Sequence, residues 1–516
     1  MEVANPVLPG MHPDPTVCRV GRDFYLACSS FEYFPGVPLY TSRDLVHWKP
    51  VGHALTRRSQ LDLRGVPSSG GVYAPTLRHH EGTFFLVTTL VGRGNFVVTA
   101  PSPRGPWSDP VWLDEDGVDP SLAFLDGRVF YTRNGRGADL DHPFVYQGEL
   151  TLAGGPPIVV EPRVIWRGTG GIWPEAPHLY RRGEWYYLVA AEGGTSYGHS
   201  VVVARGTDPY GPFEPSPHGP LLTHRDRPRL PIQGTGHADL VDLEDGTTWA
   251  VLLAIRPRGG RHQHLGRETF LAPVRWGDDG WPRMSPVRAR LKGPALARAQ
   301  VPEAPERLRF RPGRLPTGWL FVRNPARGCC TLRERPGFLR LWGTAATLRD
   351  VASPALVCRR QQHFEATARM RLQFEPVNPG EQAGLCLRAN EDFNAALVVA
   401  LGPSGRELRL DVTLRGETST LARHGVAAGP VTLELHATAS EYRFSGGTGR
   451  PEELGSVPTR SFSAETILAC SGRHHFTGAM IGLYATGGGA HATVPADVEW
   501  FEYSPLRPLD IIYRLP

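Results

Sequence analysis

Asp119-Pro120-Ser121, followed ten residues after its first member by Val129-Phe130-Tyr131, is the pattern on which the fold turns. Four other stretches repeat it without gaps. Asp14-Pro15-Thr16 leads to Phe24-Tyr25-Leu26, Ala74-Pro75-Thr76 to Phe84-Phe85-Leu86, Glu175-Ala176-Pro177 to Trp185-Tyr186-Tyr187, and His237-Ala238-Asp239 to Thr247-Thr248-Trp249. A recurrence of this length marks one supersecondary unit copied around or along an axis. If five copies close into a ring, the lead positions Asp14, Ala74, Asp119, Glu175 and His237 face one another, and three of the five are acids.

Working outward, the units are all-β. Arg128 to Tyr131 and Glu184 to Ala190 are short, aromatic and β-branched, bounded by Gly, Asp or Pro, and no amphipathic helix of more than two turns stands in the first 300 residues. A second recurrence lies later in the units. Thr41-Ser42-Arg43-Asp44 leads to Trp48, Thr99-Ala100-Pro101-Ser102 to Trp107, and Ala204-Arg205-Gly206-Thr207 to Phe213. Inner strands followed by an outer strand predict a four-stranded propeller blade, and five blades fill residues 1–300. A solenoid is the alternative, but the chain lacks capping units. Pro302-Glu303-Ala304-Pro305-Glu306 reads as part of a linker over 301–308. From 309 to 516 the repeat is gone. His363 to Met370 and Val431 to His436 alternate with period two, which predicts a β-sandwich of jelly-roll, concanavalin-like kind.

Composition narrows the function classes. The chain has 516 residues, enough for two cores, with 59 Gly and 49 Pro for many turns. Its formal charge is +5, from 56 basic and 51 acidic residues, and no basic block stands beside stacking aromatics, so no nucleic-acid partner is expected. No run is long enough to cross a bilayer, and Met1 to Pro6 shows neither a basic nor an apolar leader region, so no membrane partner is expected. The seven Cys form no metal spacing and no even framework, which reads as free thiols in a reducing, cytoplasmic setting. Subunit number stays open, a homo-oligomer included.

The acids carry the chemistry. Asp-Pro and Asp-Pro-Ser are common turn elements whose side chains cap their own backbone. A turn role, however, does not ask for a different acid in different units and Ala in another. Asp14, Asp119 and Glu175 at one channel mouth raise one another's pKa, and groups pushed apart in this way divide the tasks of acid and base. Cleavage of a glycosidic bond needs that division: one carboxylic acid protonates the departing oxygen, and one carboxylate activates water or attacks carbon.

Several ordered motifs sharpen this. Asn5-Pro6-Val7-Leu8-Pro9-Gly10 with His12-Pro13-Asp14-Pro15, then Ser30-Phe31-Glu32-Tyr33-Phe34-Pro35-Gly36-Val37, resembles the opening of family 43 glycoside hydrolases. Ser69 to Pro75, Gly117 to Ser121, Trp173 to Tyr180, Ala191 to Thr195, Gly234 to Ala238 and Leu265 to Thr269 continue the likeness in order to about residue 282. Its β-xylosidase and α-L-arabinofuranosidase members carry a C-terminal sandwich that the remainder of the chain resembles.

The resemblance implies roles. Asp14 matches the general base, Glu175 the general acid, and Asp119 the carboxylate that tunes and positions the acid. Inversion by single displacement asks for acid and base carboxyls roughly 6.5–9.5 Å apart, against about 5–5.5 Å for retention. Arg267 matches an Arg that holds sugar hydroxyls, and Phe31 and Tyr73 match aromatic pocket walls. Tyr73 stands where many β-xylosidases have Trp, and Trp173 precedes the acid where smaller groups occur, a lean towards arabinofuranosides. Phe476 in His475-Phe476-Thr477-Gly478 resembles a sandwich loop that closes the pocket; it also reads as a core residue. His237 matches a His on the axis beside either a calcium ion or a water cluster, and no organic cofactor is implied.

The expectation is an inverting exo-glycosidase releasing terminal α-L-arabinofuranose or β-D-xylose from short hemicellulose-derived oligosaccharides. The competitors are an endo-arabinanase-like hydrolase on the same propeller and a non-catalytic carbohydrate-binding protein.

Overall fold

The computed structural model describes residues 1–135, 143–151, 157–300 and 304–506. Five four-stranded antiparallel units form the first half, each running from the inner strand outward in chain order. The first blade is Thr16–Val20, Asp23–Ala27, Gly36–Ser42 and Lys49–Leu55, and the third is Val118–Leu125, Arg128–Gly135, Phe144–Thr151 and Ile158–Trp166. In the fourth blade an extra short strand, Leu222–Thr223, also pairs with Ser200–Gly206. The aromatic runs are the second strands, and Trp107 and Phe213 are buried just before the fourth strands of their blades. Blades stack through apolar faces: Val37 and Leu39 meet Leu77, Leu86 and Phe96, and Val189, Val201 and Val203 meet Leu240, Leu252 and Phe270.

Inner strands Thr16–Val20 and Gln233–Asp242 are in contact, which closes the ring. The first residues fasten the closure. Glu2–Ala4 pairs with Arg290–Lys292, and the Asn5 side-chain amide donates to Leu271 O (2.9 Å) while its oxygen accepts from Leu271 N (3.0 Å).

The ungapped repeat holds in three blades; the fourth is shifted by one residue, and in the fifth Asp239 pairs with Val251, one residue farther along the second strand. Thr16 pairs with Ala27, Thr76 with Val87 and Ser121 with Thr132, each residue lying two beyond its lead. In the fourth blade the corresponding pair is His178 with Val189, so the equivalent lead is Ala176 rather than Glu175. Backbone geometry agrees: Asp14, Asp119, Ala176 and His237 have φ of 53°, 55°, 50° and 50°. Glu175 therefore enters the ring from one residue earlier, at a register shift between Glu175 and His178. An irregularity of that kind re-aims a side chain beside a site.

The second domain is a sandwich of two sheets around Leu372, Phe393, Leu397, Leu433, Phe444 and Phe501. Strand Val431–Ala437 alternates buried and half-buried residues along its length, the period-two pattern of its sequence. The boundary differs from the sequence expectation in two places. Glu306–Arg309 pairs with Ala496–Pro505, so the end of the expected 301–308 linker is sandwich sheet; residues 301–303 lie outside the described residues. Tyr33–Phe34 leaves the first blade and pairs with Leu320–Val322 as the last strand of a sandwich sheet.

Buried charge also crosses the junction. Arg388 meets Glu391 at 2.8 Å and Glu32 of the first blade at 3.4 Å, while Arg323 meets Glu391 at 2.5 Å and donates to Val66 O at 2.6 Å. Buried charges persist when each has a partner. Here the partners fix the propeller loop that leads to Tyr73. Among the described residues the helices are Thr459–Phe462 and Ala464–Ser471, and neither is long and apolar enough to cross a membrane.

Candidate active site

Three of the five lead segments deliver carboxylates to one end of the ring. Asp14 is 4 % exposed and accepts hydrogen bonds from Ser29 Oγ (2.5 Å), Arg267 Nη1 (2.8 Å) and Arg267 Nη2 (3.4 Å). His237 Nδ1 stands 3.6 Å from Asp14 Oδ1. Arg267 is itself buried and also donates to Thr195 Oγ1 (2.9 Å) and Phe476 O (3.4 Å). Its guanidinium lies 5.5 Å from the Phe31 ring centre and 5.4 Å from that of Phe476.

Asp119 and Glu175 have different surroundings. Burial pushes the Asp119 carboxyl up to about 6, with Asp14 adding to the rise, and His237, Arg267 and the Ala176 N–H opposing it. The Ala176 amide thus joins Asp119 to the turn that follows Glu175. Burial pushes Glu175 well above the usual carboxylate range, and the charges of Asp119 and Asp14 push it further. Arg267 opposes this without reversing it. Glu175 is therefore held as a proton donor, while Asp14 is an ion-paired acceptor.

The aromatic residues converge. The Phe31 and Tyr73 ring centres are 5.5 Å apart, Phe31 and Phe476 5.9 Å, and Tyr73 and Phe476 5.8 Å. Phe31, expected as a wall, is only 1 % exposed and forms a floor beneath the other two. Phe476 comes from the sandwich and is no core residue. Its loop is tied to the propeller by Phe476 N to Ser69 Oγ (3.0 Å) and Ala479 N to His264 O (2.8 Å). The two domains enclose a cavity of about 110 Å³ beside Arg267, lined also by Thr195, Gly234, His474 and Phe476. Trp173 stands at the rim, 42 % exposed.

Calcium takes six to eight oxygen ligands. His237 offers one imidazole, its neighbouring carboxylate Asp14 is engaged by Arg267 and Ser29, and no group of three or more His, Cys, Asp or Glu able to hold a metal occurs among the described residues. The residues present do not form a calcium cage. An ion beside His237 would take most of its ligands from water.

Sequence reasoning assigned no role to Ser29, Thr195, Ser69, His199 or Glu192. Thr195 and Glu192 lie inside the Ala191-Glu192-Gly193-Gly194-Thr195 motif, the one signal available for them. His199 packs where a Cβ on Gly236 would come within 2.3 Å of its Nδ1, so the residue before His237 must be glycine. Burial, helped by His237 and Arg267, lowers His199 to about 3 and keeps it neutral.

A five-bladed propeller with three carboxylates, an ion-paired arginine and an aromatic floor at one mouth has the parts of a glycosidase. The chain matches the model for "Glycosyl hydrolases family 43" over residues 3–282 and that for "Beta xylosidase C-terminal Concanavalin A-like domain" over 307–504. It belongs to glycosyl hydrolase family 43. A non-reducing end α-L-arabinofuranosidase of Bacteroides ovatus is 43 % identical over 513 residues, 97 % of this chain and 94 % of the relative. A β-xylosidase of Bacillus subtilis is 32 % identical over 549 residues, 98 % of this chain and 99 % of the relative. Among solved structures, a xylan β-1,4-xylosidase of Bacillus halodurans superposes with a TM-score of 0.91 at 34 % identity, covering 97 % of this chain and 100 % of its own.

Proposed function

We propose that the protein releases terminal α-L-arabinofuranose from short oligosaccharides, with Glu175 as general acid, Asp14 as general base and Asp119 as the residue that positions and tunes Glu175. The observation that carries this is the contrast in surroundings: Glu175 is held protonated by burial and two nearby carboxylates, and Asp14 is ion-paired with Arg267. Water beside Asp14 loses its proton to that carboxylate as its oxygen attacks the anomeric carbon. The bond to the departing oxygen breaks as Glu175 supplies the proton, and each carboxyl ends in the other's starting state. One displacement inverts the anomeric centre. Arg267 keeps Asp14 oriented and presents its remaining donor capacity to sugar hydroxyls, while Phe31, Tyr73 and Phe476 receive the C–H face of the ring.

Exo action is supported by the sandwich loop, which Ser69 and His264 tie across one side of the mouth. Tyr73, in place of the Trp of many xylosidases, and the 43 % identity to the B. ovatus arabinofuranosidase support arabinose as the preferred sugar. The second reading is β-D-xylose, favoured by the xylosidase names of relatives such as that of B. subtilis. Seven free cysteines support a reducing compartment, where imported oligosaccharides would be the substrates.

The test compares kcat/KM on aryl α-L-arabinofuranoside and aryl β-D-xyloside, with proton NMR of the first-formed anomer. Arabinofuranoside preferred by tenfold or more, about 1.4 kcal/mol of transition-state binding, with inversion, is the expected result. A preference for xyloside moves the assignment to the second reading, and retention removes Asp14 from the role of base.

A further inference from the structure

The loop that precedes Glu175 is rich in glycine, Arg167-Gly168-Thr169-Gly170-Gly171-Ile172-Trp173-Pro174, and such a sequence is flexible unless something holds it. Glu192 holds it. This carboxylate is 3 % exposed and accepts from Thr169 N (2.5 Å), Thr169 Oγ1 (2.6 Å) and Gly171 N (3.1 Å). The loop closes so tightly that a Cβ on Gly168 or Gly171 would come within 2.6 or 2.5 Å of the Glu192 oxygens. Gly193 N donates to Ile172 O at 2.9 Å and fixes the other side.

What the clamp presents is Trp173, at φ 52° and 42 % exposed. Ile172 beside it is 58 % exposed, and one part of the Trp173 ring packs over Gly194. Together they form an exposed apolar patch on a braced loop next to the site, the kind of patch that marks a binding surface. Its place follows from a row of rings across the mouth. Phe476 faces Phe31 and Arg267 on the Asp14 side; His474 lies parallel to Phe476 at 5° and 6.0 Å; Trp173 meets His474 edge-on at 6.4 Å, two residues before Glu175. Trp173 thus ends the row on the side of the acid, where the departing half of the substrate must lie.

We propose that Trp173 is a specificity-determining platform that stacks a second sugar ring on the leaving-group side, and that Glu192 is the positioning residue that holds it there. This rests on the glycosidase reading of Asp14 and Glu175. The enzyme then recognises a terminal pentose attached to another ring, rather than any pentoside.

The test uses a pentosyl oligosaccharide and the methyl glycoside of the same pentose, whose leaving group has no ring. Trp173→Ala is expected to lose about tenfold more in kcat/KM on the oligosaccharide than on the methyl glycoside, chiefly through KM, and Trp173→Phe to regain most of it. Glu192→Gln keeps one acceptor oxygen but places an NH₂ against one of the two amides, Thr169 N or Gly171 N, and gives a ring-selective loss in the same direction. Equal losses on both substrates, from a wild type active on both, overturn the platform alone. A wild type inert on both overturns the glycosidase reading and the platform with it.

Discussion

The two sides of the pocket use opposite materials. Around Asp14 the chain gathers donors: a guanidinium with two contacts, a serine hydroxyl and, slightly farther away, an imidazole nitrogen. Around Glu175 it gathers burial and negative charge, with the Asp119 carboxylate the larger of the two charge effects. Identical functional groups become a proton acceptor on one side and a proton donor on the other because of what the backbone packs against them. A left-handed lead residue serves Asp14, whereas the acid comes from the residue before such a turn, at Ala176. The ring is symmetric in outline and asymmetric where the chemistry needs it.

The contrast breaks most completely on the Asp14 side. Asp14→Ala is expected to lower kcat by about 10⁴-fold, the upper end for removal of a general base, and single-turnover rates on an aryl pentoside measure it. A loss of less than about tenfold would leave the base unassigned.

Asp119→Asn sharpens the Glu175 side. It removes a negative charge that raises the acid's pKa, so Glu175 ionises at lower pH and the alkaline limb of the kcat/KM profile moves to lower pH. A limb that stays in place would show that burial alone sets the acid. Loss of the positioning contact through the Ala176 amide adds a fall of about 10–100-fold at the optimum.

Phe476→Ala probes the part lent by the other domain. Removing a ring that packs on Phe31, Tyr73 and Arg267 is expected to raise KM by about tenfold, with a smaller change in kcat. An unchanged KM would place the sugar elsewhere.

The smallest effect is on stability. A carboxyl whose folded pKa lies above its unfolded value of 4.5 contributes stability that is fully present below that value and lost as pH rises through the folded pKa. Glu175→Gln removes that loss. Its melting temperature should exceed that of the wild type near neutral pH and match it below about pH 4, a trade of stability for activity.

The sequence made the ring legible because each blade is a local object. Strand, turn and aromatic run lie within a few residues of one another, so repetition exposed them, and with them Asp14 and Asp119; Glu175 entered through an alignment one residue off and through the Trp173 to Tyr180 motif. The slip to Ala176 was hidden because Trp185 and Tyr186 are both aromatic, so a spacing of ten residues fits from Glu175 as well as from Ala176. Contacts made over long separations were also hidden. Glu32 with Arg388, Ser69 with Phe476, and Tyr33–Phe34 with Leu320–Val322 join segments hundreds of residues apart, and no local pattern encodes such a pairing. Phe476 was found only through a weak resemblance. Glu192 sat in a quoted motif without a role, since its task becomes visible only when the glycine loop is seen folded around it.

The division of labour between the two sides is tested most directly by varying the leaving group. Glu175→Ala and Asp14→Ala are each assayed on the methyl and the 2,4-dinitrophenyl glycoside of the preferred pentose. Glu175→Ala should lose about 10²–10⁴-fold on the methyl glycoside, which needs a proton to depart, and little on the dinitrophenyl glycoside, which does not; Asp14→Ala should lose alike on both. Equal losses from Glu175→Ala on the two substrates would contradict the account.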